Sequence, residues 1–272
     1  MRSLALPVET GDGHRAELQA RIPDGASASL LWLPGMGLAA RHFLPFAEAM
    51  AARGIATFVH EWRGNGSSNL RASRATDWGY RELLADIAAS EEAVDAALPG
   101  LPRLLGGHSL GGQLACCRVA QAPDAARALW LVGSGSPYWR AFPAPTRWWL
   151  PGAYRFLDWL ARRNGALPGK RIGFGGNEAR GVIGDWSRSA LSGRYAACGL
   201  DVDLDAGMAG FGGDIGPDRW DTPQHLDDDP RRVKTRRDNK DFDSRHEVMG
   251  LVDGDAARAL GAVFRDRWQA AT

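Results

Sequence analysis

The chain is short of cysteine, shorter still of lysine, and almost without net charge. Its three cysteines, Cys116, Cys117 and Cys198, make no disulfide framework. Adjacent residues are badly placed to bridge each other, and an odd count leaves one over. A reducing compartment suits such a chain, so the expected location is cytoplasmic. Lysine stands only at positions 170, 234 and 240, which reads as a coding bias toward arginine. With 33 Lys and Arg against 32 Asp and Glu the formal charge is +1, and nothing global points to nucleic acid, an anionic membrane or acidic ligands. Long apolar runs are missing too. The opening MRSLALPVETGDGHR has no core for a signal peptide, and no stretch is long enough to span a bilayer. No set of His, Cys and carboxylates has metal-ligand spacing, so no metal is expected; no cofactor is expected either.

What the chain does have is apolar residue in quantity: 44% of 272 positions, enough for a sizeable core without staples. Residues 3–9 and 14–22 predict two short strands about the turn-like GDG. SLLWLP (29–34) and IATFVHE (55–61) are continuous apolar runs that suit strands buried on both faces. Between them, HFLPFAEAMAARG (42–54) carries apolar residues at helical spacing and a terminal glycine. Residues 77–98 predict a long amphipathic helix opening on Asp77. PRLLGG then reads as a strand, GQLACCRVAQA as a helix and RALWLVGSG (127–135) as a strand. Buried strands alternating with helices of this length mean a parallel sheet in an α/β fold.

Past residue 135 the alternation stops. Residues 136–196 gather Trp139, Trp148, Trp149, Trp159 and Trp186 among five prolines and a GFGG loop, which predicts a helical insertion over one end of the sheet. Residues 214–245 hold 17 Asp, Lys or Arg in 32 positions, with no two apolar residues side by side. A doubly wound sheet wants one or two more strands here, and none is legible. The final 18 residues again predict an amphipathic helix.

One serine stands out. In PRLLGGHSLGGQL (102–114), Ser109 sits between a strand and a helix with Gly107 and Gly111 two residues away on either side. A tight strand-to-helix turn throws its central side chain clear of both elements, where a base and a substrate can reach it, and it tolerates only small neighbours. The N–H of Leu110 then lies at the helix start, facing the place where an oxyanion would form. Upstream, LPGMG (33–37) ends a buried strand and offers a second N–H, that of Met36. EWRGNGSS (61–68) ends the next.

In this order and spacing, LPGMG, RGNGSS and GGHSLGG resemble the α/β-hydrolase superfamily. YWRAFP (138–143), PGKRIGFGG (168–176), GVIGDW (181–186) and SGRY (192–195) are similar to a bacterial branch of predicted serine hydrolases of unassigned substrate. Pro34 and Glu61 depart from the pattern, which has His before the oxyanion glycine and Asp before x-R-G. The resemblance implies an α/β-hydrolase core at 1–135 and 200–272 with a helical cap at 136–199. It implies a nucleophile, an acid and a histidine in that order. His246 lies where the base is expected, with His225 as the other candidate. HLDDDP (225–230) resembles the place of the acid and offers Asp228 or Asp229. The implied reaction is hydrolysis of a carboxylic ester, with thioester and amide as related substrates, through an acyl-serine intermediate. The implied partner is a small acyl substrate; oligomeric state stays open.

Competing readings belong beside these. The insertion's tryptophans can be packing or can line an acyl pocket. GFGG lacks the Lys and Ser/Thr of a phosphate cradle and reads as a loop. RRVKTRR (231–237) is closely flanked by acids and reads as a solvated charge run rather than a nucleic-acid site. Cys116 and Cys117 read as buried packing. The polar run 214–245 reads either as a solvated insert or as a stretch out of frame relative to the family, and in the second case the protein would be a catalytically silent member of the fold. Resequencing the locus should then show a compensated frame disturbance near codons 211–245, and an intact frame in the register of close relatives would sink that reading.

Overall fold

The computed structural model describes residues 1–195, 203–204 and the backbone of 248–251. Strands β1 (Arg2–Glu9) and β2 (Arg15–Ile22) form an antiparallel hairpin with Arg2 opposite Ile22 and Glu9 opposite Arg15. Strands β3 (Ala28–Leu33) and β4 (Ile55–Val59) are buried at every position. That is why they read as unbroken apolar runs: a strand covered by helices on both faces has no polar side. A 3-10 turn (Ala40–Phe43) and helix α1 (Leu44–Ala51) connect them. Helix α2 (Tyr80–Ala97), strand β5 (Arg103–His108), helix α3 (Leu110–Gln121) and strand β6 (Ala128–Val132) follow.

The segment expected from sequence to be an insertion follows: helix α4 (Thr146–Asn164), strand β7 (Ala166–Pro168), the single turn α5 (Gly169–Ile172), strand β8 (Asn177–Ala179) and helix α6 (Arg180–Ser192). Strand β9 (Val248–Leu251) closes the series among the described residues. The main sheet runs β1-β2-β4-β3-β5-β6-β9. Its centre, β4, β3, β5 and β6, is parallel as expected for an α/β-hydrolase fold. Antiparallel strands stand at both edges, with β9 placing Val248 opposite Val132.

Three features differ from the sequence-based expectation. The insertion is not purely helical, because β7 and β8 pair antiparallel, Ala166 opposite Ala179. Strands of three residues are too short to show a period of two. VMGL forms β9 in a stretch to which no element was assigned from sequence; an edge strand of four residues is decided by its partner, not by its own pattern. Helix α2 begins at Tyr80 rather than opening on Asp77.

The reason for the last difference couples the insertion to the core. The Tyr80 N–H donates to Asp185 Oδ2 at 2.7 Å, so a residue of α6 caps α2. In return, the Gly181 N–H at the start of α6 donates to Asp77 Oδ1 at 3.0 Å. Each helix's unsatisfied first turn thus takes a carboxylate from the other element, which suits both the orphan N–H groups and the positive end of the dipole. Arg180 Nε adds an ion pair to Asp77 at 3.1 Å.

Buried polar groups fasten the hairpin and the loop after β4. Arg63 grips Asp86 with Nε to Oδ2 at 2.6 Å and Nη2 to Oδ1 at 2.8 Å, and reaches Asp12 with Nη1 at 2.6 Å. Burial pushes the Asp86 carboxyl up, but hydrogen bonds from His14 and Arg63 outweigh it and hold the group below the usual carboxylate range. His60 bonds Ser90 Oγ through Nδ1 at 2.9 Å. Burial, against the pull of the Asp86 carboxylate, holds its imidazole down at about 4.

That pKa has a sign. Between pH 6.5 and 4 the unfolded chain binds a proton at His60 that the folded chain refuses, so the site's contribution is full above 6.5 and lost as pH falls through 4. Denaturant unfolding of wild type and His60→Gln at pH 7 and pH 4.5 should show a smaller acid loss in the variant, by on the order of 1–3 kcal/mol. Equal losses would place the acid sensitivity elsewhere.

Candidate active site

The junction of β5 and α3 is too tight for ordinary backbone geometry. Ser109 has φ 53° and ψ −119°, and among the described residues it is the one non-glycine with positive φ. Such a conformation costs on the order of 1–3 kcal/mol and persists only where its surroundings fix it. Here they do. The Ser109 N–H donates to the Val132 carbonyl at 3.1 Å, and Ser134 Oγ donates to the Ser109 carbonyl at 2.8 Å. The N–H groups of Gly112 and Gln113 converge on that same carbonyl at 3.1 and 3.2 Å. Gln113 Nε2 adds a bond to the Gly135 carbonyl at 2.9 Å. The turn is tied to the end of β6 on one side and opens α3 on the other.

Close packing explains the glycines. A Cβ on Gly107 would overlap the backbone of Gly111 and Gly112, and a Cβ on Gly111 would overlap the carbonyls of Leu33 and Pro34. The first turn of α3 therefore lies directly against the end of β3. Leu110 occupies the first helical position, where an N–H has no intrahelical acceptor. Met36, in the loop after β3, and Leu110 line one small recess of about 10 Å³, together with Gly37, Trp62, Trp78 and Glu178. The two residues named from sequence for the oxyanion thus line one recess beside the serine turn.

Two side chains hold the loop after β3. Trp62 Nε1 donates to the Pro34 carbonyl at 2.7 Å. Glu61 accepts the Ala40 N–H at 3.0 Å and the Ser67 N–H at 3.4 Å, so the longer side chain at this departure from the family pattern bridges the loops after β3 and β4. Burial pushes its carboxyl up, and those N–H groups pull it partly back.

The GFGG loop is part of the same surface. A Cβ on Gly37 would overlap Gly176, and Gly175 lies against the Met36 side chain. Glu178, buried, accepts the Gly176 N–H at 2.9 Å and faces the recess. Burial pushes its carboxyl up, with the Gly176 N–H opposing. Sequence reasoning missed Glu178, since an isolated glutamate after GGN carries no motif. The loop reading of GFGG stands, with left-handed glycines at 173 and 175.

His246, His225, Asp228 and Asp229 lie outside the described residues. Of the described histidines, His42 bonds the Ala39 backbone, and His108 lies half-buried against the Phe43 ring. His14 forms an unexpected constellation: Nε2 to Ser68 Oγ and Nδ1 to Asp86 Oδ1, both at 3.1 Å. It has the order of a catalytic triad and none of the access. All three residues are buried, Ser68 Oγ also accepts the N–H groups of Gly64 and Leu70 at 3.2 Å, and Arg63 occupies Asp86. A hydroxyl so committed cannot meet a substrate. Cys116 and Cys117 are buried in α3, and burial pushes the Cys116 thiol up to about 11. Among the described residues no group of three or more His, Cys, Asp or Glu could hold a metal ion.

Residues 24–174 match a family model described as serine aminopeptidase, S33. No curated protein matches the chain. Among solved structures, DcsB in complex with its substrate analogue is 21% identical, with a TM-score of 0.46 over 58% of this chain and 50% of that one. A highly thermostable carboxyl esterase from Bacillus coagulans, in complex with glycerol, is 19% identical, with a TM-score of 0.45 over 58% and 51%. The thioesterase domain from the curacin biosynthetic pathway is 22% identical, with a TM-score of 0.44 over 57% and 52%. The chain spans about half the length of each of these structures.

Glu178 offers a direct check on the recess. Glu178→Gln keeps an acceptor for the Gly176 N–H and should leave stability nearly unchanged, whereas Glu178→Ala should cost about 1–3 kcal/mol in denaturant unfolding. An alanine variant as stable as wild type would mean the loop is held by other contacts.

Proposed function

The chain belongs to the serine aminopeptidase S33 family of α/β hydrolases, and from that premise we propose that it is a serine hydrolase cleaving a carboxylic ester, with thioesters and amides as related substrates. The observation that carries the reading is the strained conformation of Ser109 at the tight junction of β5 and α3. Strain fixed by surrounding backbone is found where a side chain must be presented rather than packed.

In the proposed mechanism Ser109 Oγ attacks the substrate carbonyl as His246 takes its proton. The N–H groups of Met36 and Leu110 receive the oxyanion, in a place where fixed dipoles act without reorganising. The histidine returns the proton to the departing alcohol, and water then releases the acid by the reverse sequence. Asp228 is the proposed orienting carboxylate. We take residues 136–199 as a cap over the site and 1–135 with 200–272 as the core, with a small acyl compound as the substrate. Transfer of the acyl group to an alcohol or thiol would use the same residues.

The polar run 214–245 favours a second reading, a silent member of the fold whose acid and base are lost. A fluorophosphonate probe separates the two. Labelling of wild type and none of Ser109→Ala would show an activated serine, and ester turnover should then fall about 10⁴-fold or more in the variant. Correctly folded wild type that takes no label would overturn the hydrolase reading in favour of the silent fold.

A further inference from the structure

Helix α4 turns aromatic rings as well as arginines toward solvent. Trp148, Trp149, Phe156 and Trp159 are 66%, 60%, 54% and 54% exposed. At about 100° per residue they fall within one arc of about 100° on the helix. The Phe156 and Trp159 rings lie 5.8 Å apart, and the Arg147 guanidinium sits 4.7 Å from the Trp148 ring centre. The opposite side of α4 is already occupied. Leu150 and Tyr154 pack with Ala190 and Trp186, and Leu157, Leu160 and Ala161 pack with Ile183, Phe174 and Met36. The outward rings are therefore not needed for the insertion's own core, and an apolar face of this kind marks a contact surface.

Charge identifies the partner. The whole chain is nearly neutral, yet residues 146–172 carry six Arg or Lys and one acid, Asp158, which pairs with Arg162 at 3.0 Å. Arg155 and Arg162 run along one edge of the aromatic arc, and Arg163 lies one turn beyond Trp159. We infer that this face docks on an anionic lipid bilayer surface, with the rings at the headgroup boundary and the arginines on lipid phosphates. Tryptophan favours that boundary because it is apolar in body and polar at the N–H, and guanidinium matches phosphate geometry. A second copy of the chain fits less well, since a two-fold pairing through this face would set the same cationic helix against itself. Among the described residues no helix is long and apolar enough to cross a membrane, so the contact is peripheral, with α4 lying in the surface. The docking stands independently of the hydrolase reading.

The test is sedimentation of the full chain with vesicles of phosphatidylglycerol and phosphatidylcholine, against vesicles of phosphatidylcholine alone. Wild type and Ser109→Ala should both sediment with the anionic vesicles, with a blue shift in tryptophan emission. Trp148→Ser/Trp159→Ser and Arg155→Glu/Arg163→Glu, each checked for folding by circular dichroism, should bind at least about tenfold more weakly. Added salt should weaken wild-type binding. Failure of wild type to bind anionic vesicles, or unchanged binding by the tryptophan variant, would overturn the inference. So would a concentration-dependent dimer that the tryptophan substitutions dissociate, which would assign the face to a second copy. Loss of fluorophosphonate labelling with vesicle binding intact would remove the catalytic reading alone.

Discussion

The carbonyls of Leu33 and Pro34 occupy the space that a side chain on Gly111 would need, and the geometry of the site follows from that contact. With α3 pressed on the end of β3, the chain must turn from β5 into α3 within one residue. Ser109 takes the strain of the turn, and Leu110, the first residue of α3, lines the same recess as Met36. A second backbone approach, Gly37 on Gly176, brings the insertion's GFGG loop onto that same loop. Hydrogen-bond donors can be fixed where charge develops only if the backbones around them cannot move apart.

Polar side chains keep these contacts in register. Trp62 and Glu61 tie down the segment after β3, and the Arg63–Asp86–His14 group ties the loop after β4 to the amino-terminal hairpin. A buried ion pair is weak evidence for net stability, because desolvation offsets much of the attraction. Its effect here is positional: Arg63 also reaches Asp12 and Asp86 also bonds His14, so one group fixes three segments relative to one another. The reciprocal caps Asp77–Gly181 and Asp185–Tyr80 do the same for the insertion, using the N-termini of two helices that face each other.

The exposed face of α4 shows why whole-chain charge is a poor guide to surfaces. A sum of +1 gave no pointer to an anionic membrane, while α4 alone carries four arginines against one acid and α5 adds two more cations. Debye screening makes only charges within about 10 Å of each other count together, so the local concentration governs what the face attracts. Through Leu157, Leu160 and Phe174 the inner side of the same helix reaches Met36.

Sequence alone determined the parallel centre, the order of its strands and helices, and Ser109 as the residue at the turn. These are local properties: buried strands must be apolar throughout, and glycine two residues from a tight turn has few substitutes. Tertiary structure decided the rest. Glu178 faces the recess because β8 is carried there by β7, and Asp77 caps α6 because α6 docks beside α2. His14 meets Ser68 and Asp86 because β2, which it precedes, pairs with β4. Each of these partners lies from ten to over a hundred residues away, and contacts at such separation leave no period in the sequence. They exist only once the sheet has set which ends lie together.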